Sequence, residues 1–113
     1  MSTGALAEQW AAHYLRQQGL VPVGQNYRSR FGEIDLIMRD GATLVFIEVR
    51  LRRNADFGGA AASIDARKQQ RIISTAQQYL AGLAQIPPCR FDAVLLDDAQ
   101  GSGVQWLKNA FGT

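Results

Sequence analysis

The chain has few of the residues that build compact metal or disulfide sites. Its 113 residues include one cysteine, Cys89, and one histidine, His13. An internal disulfide and any multi-cysteine zinc centre are therefore excluded. Cys89 precedes an apolar run and is expected to be buried as a small hydrophobe. His13 lies alone on a helical stretch and reads as a surface or border residue. No apolar run approaches the roughly 18 residues of a membrane-spanning helix, and the first residues lack the basic-then-apolar order of a secretory signal. The expectation is a soluble, cytoplasmic protein with no membrane partner. The length suits one domain, because domains commonly run about 100 to 200 residues.

Net charge is also small, +2 at pH 7, too little to imply a nucleic-acid partner by itself. Its distribution is more informative. Between positions 28 and 71 arginine dominates the charged residues, with Arg28, Arg30, Arg50, Arg52 and Arg53 followed by Arg67, Lys68 and Arg71. A planar guanidinium suits bidentate phosphate contacts, and solvated surface arginine explains the same bias equally well.

The periodicity predicts a first helix from Ala5 to Gln18, with Leu6, Trp10, Ala11 and Leu15 on one side and Gly19 at its end. Val21 to Tyr27, interrupted by Pro22 and Gly24, suits an edge strand. Glu33 to Met38 and Thr43 to Leu51 read as antiparallel strands joined through Asp40-Gly41. The stretch 54–63, rich in glycine and alanine, reads as a loop. Asp65 can cap a second helix that runs to Ala81, with Ile72, Ile73, Ala76, Tyr79 and Leu80 at helical spacing. Arg90 to Leu96 reads as a strand and Val104 to Leu107 as a short last one, with the tip at 97–103 and both termini least ordered. The order is α-β-β-β-α-β with one further short strand, an α/β fold with a mixed sheet of four to five strands flanked by helices.

Strand alternation places Glu33, Asp35 and Ile37 on one face, opposite Ile34, Leu36 and Met38, and groups Phe46 with Glu48 and Arg50. With Asp40-Gly41 as the turn, Asp35 faces Phe46 and lies diagonal to Glu48, and a register moved by one residue on each strand would put the two acids directly opposite. Two adjacent carboxylates in an apolar hairpin need a cation, because like charges raise one another's pKa and resist desolvation. Arg50 can supply it as an internal salt bridge. A hard divalent ion can supply it as well, being commonly held by one or two carboxylates plus water and phosphate. Glu8, near the border of the first helix's apolar side, either reaches across the sheet or favours the helix dipole as an N-terminal-turn residue.

The runs Gly32-Glu33-Ile34-Asp35-Leu36-Ile37 and Val45-Phe46-Ile47-Glu48-Val49-Arg50-Leu51-Arg52 resemble the YraN-like family of predicted nucleases. Glu8 with Tyr14-Leu15, Asn26-Tyr27-Arg28, Phe57-Gly58, Lys68, Arg90-Phe91-Asp92 and Asn109-Ala110-Phe111 fall in that family's order, so the similarity covers nearly the whole chain. The family looks like a member of the restriction-endonuclease-like superfamily, whose relatives include archaeal-type Holliday junction resolvases. The resemblance implies one restriction-endonuclease-like domain over residues 1–113. It implies a metal site for Mg²⁺ or Mn²⁺ formed by Asp35 and Glu48 with Glu8 as a further ligand, and a catalytic set of Asp35, Glu48 and Arg50. Arg50 stands where the motif has lysine, and a guanidinium stays protonated and cannot accept a proton, though it can stabilise charge. Ala7 replaces the glycine expected before Glu8, a change that bears on close helix packing.

The reading that follows is a metal-dependent nuclease acting on DNA, including branched or structured DNA, with Arg28, Arg30, Arg52 and Lys68 positioning the backbone. Lys68 has a second reading as a relocated amine for the missing motif lysine. The rivals are a DNA-binding module that has lost cleavage, for which Arg50 is the main argument, and a structural or partner-binding protein whose acids are tied up by arginine. A homodimer is compatible with all three.

Overall fold

The computed structural model describes residues 3–51 and 64–112. In chain order the elements are α1 (Thr3–Gln17), β1 (Val21–Arg28), β2 (Glu33–Asp40), β3 (Thr43–Leu51), α2 (Ala66–Ala81), β4 (Cys89–Leu96) and β5 (Gln105–Phe111). The strands form one mixed sheet in the order β1-β2-β3-β4-β5, with β3 and β4 parallel and every other neighbouring pair antiparallel. The parallel pair requires a crossover, and α2 lies between its two strands in sequence. The loop expected at 54–63, Phe57-Gly58 within it and Arg52 lie outside the described residues.

β3 and β4 are central and buried on both faces. Val45 and Ile47 join Leu36, Met38, Val94 and Leu96 beneath α1, whereas Leu44 and Phe46 join Phe91 and Ala93 beneath α2. Helix α1 buries Ala7, Ala11 and Leu15, one residue per turn and mostly small, so its backbone approaches the sheet closely. Trp10, expected on this side, instead stays 43 % exposed. It lies over Gly101, where a methyl group would come within 2.9 Å of the indole. Helix α2 is capped as expected: the Asp65 carboxylate accepts from the Lys68 backbone N–H at 2.8 Å, and Gly82 closes the other end. Its buried stripe is Ile72, Ile73 and Ala76, with Tyr79 and Leu80 half-buried against the same cluster.

The hairpin register departs from expectation. Asp40 pairs with Thr43 and Arg39 with Leu44, so the turn is Gly41-Ala42 rather than Asp40-Gly41. Gly41 has φ 61°, at the first central position where a type II′ turn demands glycine. Each strand is thus displaced by one residue, and the ladder runs from Asp40–Thr43 to Leu36–Ile47, ending next to Asp35 and Glu48.

The alternation in β2 slips as well. Ile34 and Ile37 belong to the cluster beneath α2, while Leu36 and Met38 belong to that beneath α1, so Ile34 does not share a face with Leu36 as expected. The slip centres on Asp35. Between the pairs Gln25–Leu36 and Tyr27–Ile34 stands Asn26 with φ 53°, a left-handed residue inside a strand. On the other side the Val49 N–H donates to Asp35 Oδ2 at 2.8 Å. A carboxylate takes the place of a ladder carbonyl, and β2 bends there.

The sheet's other edge also differs from expectation. β5 extends to Phe111, beyond the expected Val104–Leu107, and Phe111 stacks on Phe91 at 5.1 Å. The tip at 97–103 forms its own turn: Asp98 Oδ1 accepts from Gln100 and Ser102, Asp97 N–H donates to Ser102 O, and Ala99 is buried. Cys89 is exposed rather than buried, because it starts β4 before the strand enters the core. His13 is exposed, as expected, with its ring edge-on to Trp10.

Candidate functional site

The bend in β2 and the end of β3 open a cavity of ≈ 410 Å³ lined by Glu8, Asp35, Glu48 and Arg50 together with Gly4, Ala7, Val49 and Leu51. All three acids assigned by resemblance to a metal site, and the cation assigned to the motif lysine, therefore share one pocket. The three acids arrive on three elements, α1, β2 and β3, and Arg50 shares β3 with Glu48. Glu8 comes from the second turn of α1, because the helix begins at Thr3 and leaves no acid in its first turn. The helix-dipole reading of Glu8 therefore does not apply. Ala7, buried at the same point, lets α1 approach closely enough to bring Glu8 over the strands.

Glu48 is only 5 % exposed, on a strand otherwise apolar inside the core. Arg50 Nε lies 3.3 Å from Glu48 Oε1, buried and without hydrogen-bond alignment. Lys68 Nζ lies 3.7 Å from the same oxygen. Lys68 therefore reaches inward from α2 to the acids. This interaction was legible only as one of three readings in the sequence, beside a phosphate contact and a solvated residue, because it depends on where α2 crosses the sheet. Asp35 has no described lysine or arginine within ion-pair distance, and it accepts the Val49 N–H on Oδ2.

The charge balance in the pocket is unfavourable to ionised acid. Burial and the Asp35 carboxylate push the Glu48 carboxyl up to about 7, against the opposing pull of Lys68 and Arg50. Burial also raises Asp35, opposed by its bond from Val49. Glu8 is pushed up to about 7 by burial, by Asp35 and by Glu33. Asn26 opposes that rise. With its amide nitrogen turned toward the acids, it donates to Glu8 Oε1 at 2.9 Å and Glu33 Oε1 at 2.8 Å. Asn26 is thus a positioning residue that the sequence reading quoted only as part of a motif; an asparagine inside the first strand was the available signal.

Asp92 provides an internal comparison. It is a fully buried aspartate beside a ladder irregularity, facing Asn109 with φ 53°. Arg90 Nε bonds both its oxygens at 3.0 and 3.2 Å, Trp106 Nε1 donates at 2.9 Å and the Asn109 N–H at 2.9 Å. Such complete satisfaction belongs to a structural ion pair. Among the described residues, Glu48 shares the burial, with Arg50 and Lys68 beside it at 3.3 and 3.7 Å, and half-buried Asp35 accepts one bond, from the Val49 N–H.

The remaining assigned cations lie outside the pocket. Arg28 is largely exposed and 3.7 Å from Glu33, which the Asn26 bridge ties to Glu8. Arg30 lies on the β1–β2 connection with its guanidinium over the Phe31 ring at 4.9 Å. Among the described residues no three acidic, histidine or cysteine side chains are gathered into a preformed metal cage, and no helix is long and apolar enough to cross a membrane.

Comparison with known proteins agrees on the family. Residues 7–96 match the model of the uncharacterised protein family UPF0102. A UPF0102 protein of Nitrosomonas europaea is 56% identical over 108 residues, covering 96% of this chain and 92% of that protein. One from Methylobacillus flagellatus is 54% identical over 105 residues, with 93% and 92% covered. One from Cupriavidus necator is 56% identical over 110 residues, with 96% and 81% covered. By this match over most of its length, from the Glu8 helix through the Asp92 strand, the chain belongs to the UPF0102 family, which is the YraN-like family.

Proposed function

We propose that the chain is a metal-dependent nuclease of the restriction-endonuclease-like kind that acts on the phosphodiester backbone of DNA. The observation that carries this reading is the convergence of Asp35 and Glu48, both partly desolvated, on one pocket with Glu8. The donor set fits Mg²⁺ or Mn²⁺: hard oxygen ligands, few enough to leave room for water and a phosphate oxygen. Asp35 and Glu48 would hold the ion, and Glu8 would add a third oxygen. When bound, such an ion polarises a phosphate and lowers the pKa of an attacking water.

The chain's own residues supply the rest. The Val49 N–H fixes the Asp35 carboxylate at the bend. Arg50 and Lys68 flank Glu48 and would offset negative charge that develops on the phosphate. Lys68 also meets the difficulty raised by Arg50, because it brings to the acids a compact amine of the kind the motif lysine supplies. Arg28 and Arg30, and Arg52 beyond the described residues, would position the backbone.

A second reading, a DNA-binding module without cleavage, rests on Arg50 in the motif position. The test is a cleavage assay over single-stranded, duplex, flapped and four-way DNA with Mg²⁺ or Mn²⁺. The nuclease reading expects metal-dependent cutting that is abolished in Asp35→Asn. Binding without cutting selects the second reading, and neither binding nor cutting leaves a structural or partner-binding protein.

A further inference from the structure

Beside the acidic pocket, the β1–β2 connection and the first turns of α2 enclose a cleft of ≈ 420 Å³ lined by Phe31, Arg67, Gln70, Arg71 and Ser74. Phe31 is 41 % exposed, although it stands on a turn with little freedom to move. The Ser29 N–H donates to Gly32 O at 2.8 Å, and the Phe31 N–H donates to Ser29 Oγ at 3.0 Å. Ser29 Oγ lies 2.9 Å from Thr75 Oγ1, which donates in turn to Arg71 O. Gly32 rests on α2, where an added methyl group would meet Arg71 Cβ at 3.4 Å. An aromatic ring is thus held in solvent by a turn bonded to the helix beneath it.

The cleft is cationic. Arg67 and Arg71 lie one helical turn apart on one stripe of α2, and Arg30 stands over the ring. No described carboxylate pairs with any of these three arginines. Lys68, between Arg67 and Arg71 in sequence, reaches the acidic pocket at Glu48. The cleft and the pocket are therefore joined through one turn of helix.

We infer that this cleft binds an unpaired nucleotide next to the phosphate presented to the acidic pocket, with its base stacked on Phe31 and its flanking phosphates held by Arg67 and Arg71. Aromatic faces accept any unstacked base, and paired cations track the backbone, so the combination selects single-stranded or unpaired segments over continuous duplex without reading sequence. This inference rests on the nuclease reading and narrows its substrate to DNA with an unpaired nucleotide.

The test uses the full chain and three fluorescent DNA probes, a single strand, a matched duplex and a duplex with one unpaired nucleotide, titrated by anisotropy at low salt without metal. Wild type should prefer the two probes with unpaired nucleotides by about tenfold, the order expected of one stacked base. Phe31→Ala should lose that preference while keeping its duplex affinity and thermal midpoint, and Phe31→Trp should keep it. A 2-aminopurine at the unpaired position should be quenched by wild type and not by Phe31→Ala. Arg71→Ala should weaken binding to all three probes and reduce the log-log salt slope by about one. Equal loss on all probes in Phe31→Ala, or no loss, overturns the stacking role while leaving the nuclease reading standing. Failure of wild type to bind any probe overturns both.

Discussion

Replacing Glu48 with glutamine should stabilise the protein at alkaline pH and leave it nearly unchanged at acid pH. Glu48 is 5 % exposed, and its carboxyl is raised from the ordinary 4.5 to about 7, by burial first and by Asp35 second. The folded state therefore holds this proton more tightly than the unfolded chain does. Its contribution to stability is fully present below pH 4.5, declines as pH rises toward about 7, and is flat above that. At ~1.4 kcal/mol per tenfold change in proton affinity, ionising Glu48 costs the folded state about 3 kcal/mol. That figure already contains the attraction of Lys68 and Arg50, which lower the pKa without restoring it. Glutamine copies the shape of the protonated acid and cannot ionise. The gap between variant and wild type should open through this range and reach about 2 to 3 kcal/mol near pH 8. Urea unfolding across the pH series measures it directly. Parallel curves for the two proteins, or a variant less stable at pH 8, would refute the reasoning, because either result means that Lys68 and Arg50 fully compensate the buried charge.

Three further outcomes are expected. Arg50→Lys should raise single-turnover cleavage of a branched DNA above wild type, with Arg50→Ala lowest, since lysine presents a point charge to phosphate; equal rates in all three would assign Arg50 to salt bridging alone. Arg90→Met should cost about 3 kcal/mol in chemical unfolding, because it leaves Asp92 buried without its cation, and a loss under ~1 kcal/mol would contradict the structural role given to that pair. Asp65→Ala should cost about 1 kcal/mol through loss of the α2 cap, read as a fall in the urea midpoint without a change in slope.

Much of this architecture was legible in local pattern. Both helices and the order of the strands follow from spacing, caps and glycine positions, because those signals act within a few residues. The departures arise where a distant partner decides. Glycine sits first in the Gly41-Ala42 turn, so the hairpin closes one residue later than the Asp40-Gly41 pair suggested. Ile34 changes faces because the Asp35 side chain takes a backbone bond from Val49, an exchange that side-chain alternation does not encode. Trp10 stays outside because small alanines bring α1 onto the sheet and leave no room for an indole beneath it. At the site, the convergence of Asp35 and Glu48 was visible from strand alternation and the hairpin. The approach of Lys68 was only one of several readings and the Asn26 bridge was not visible, since each joins elements far apart in the chain.

The central claim is that Asp35 and Glu48 together hold a divalent cation, and calorimetric titration of Mg²⁺ or Mn²⁺ near pH 8 tests it most directly. At that pH Glu48, raised to about 7 in the free protein, is largely ionised and available to a metal. Wild type should bind with measurable heat, and binding should weaken sharply in both Asp35→Asn and Glu48→Gln. Equal heats in the wild type and both variants would contradict the account.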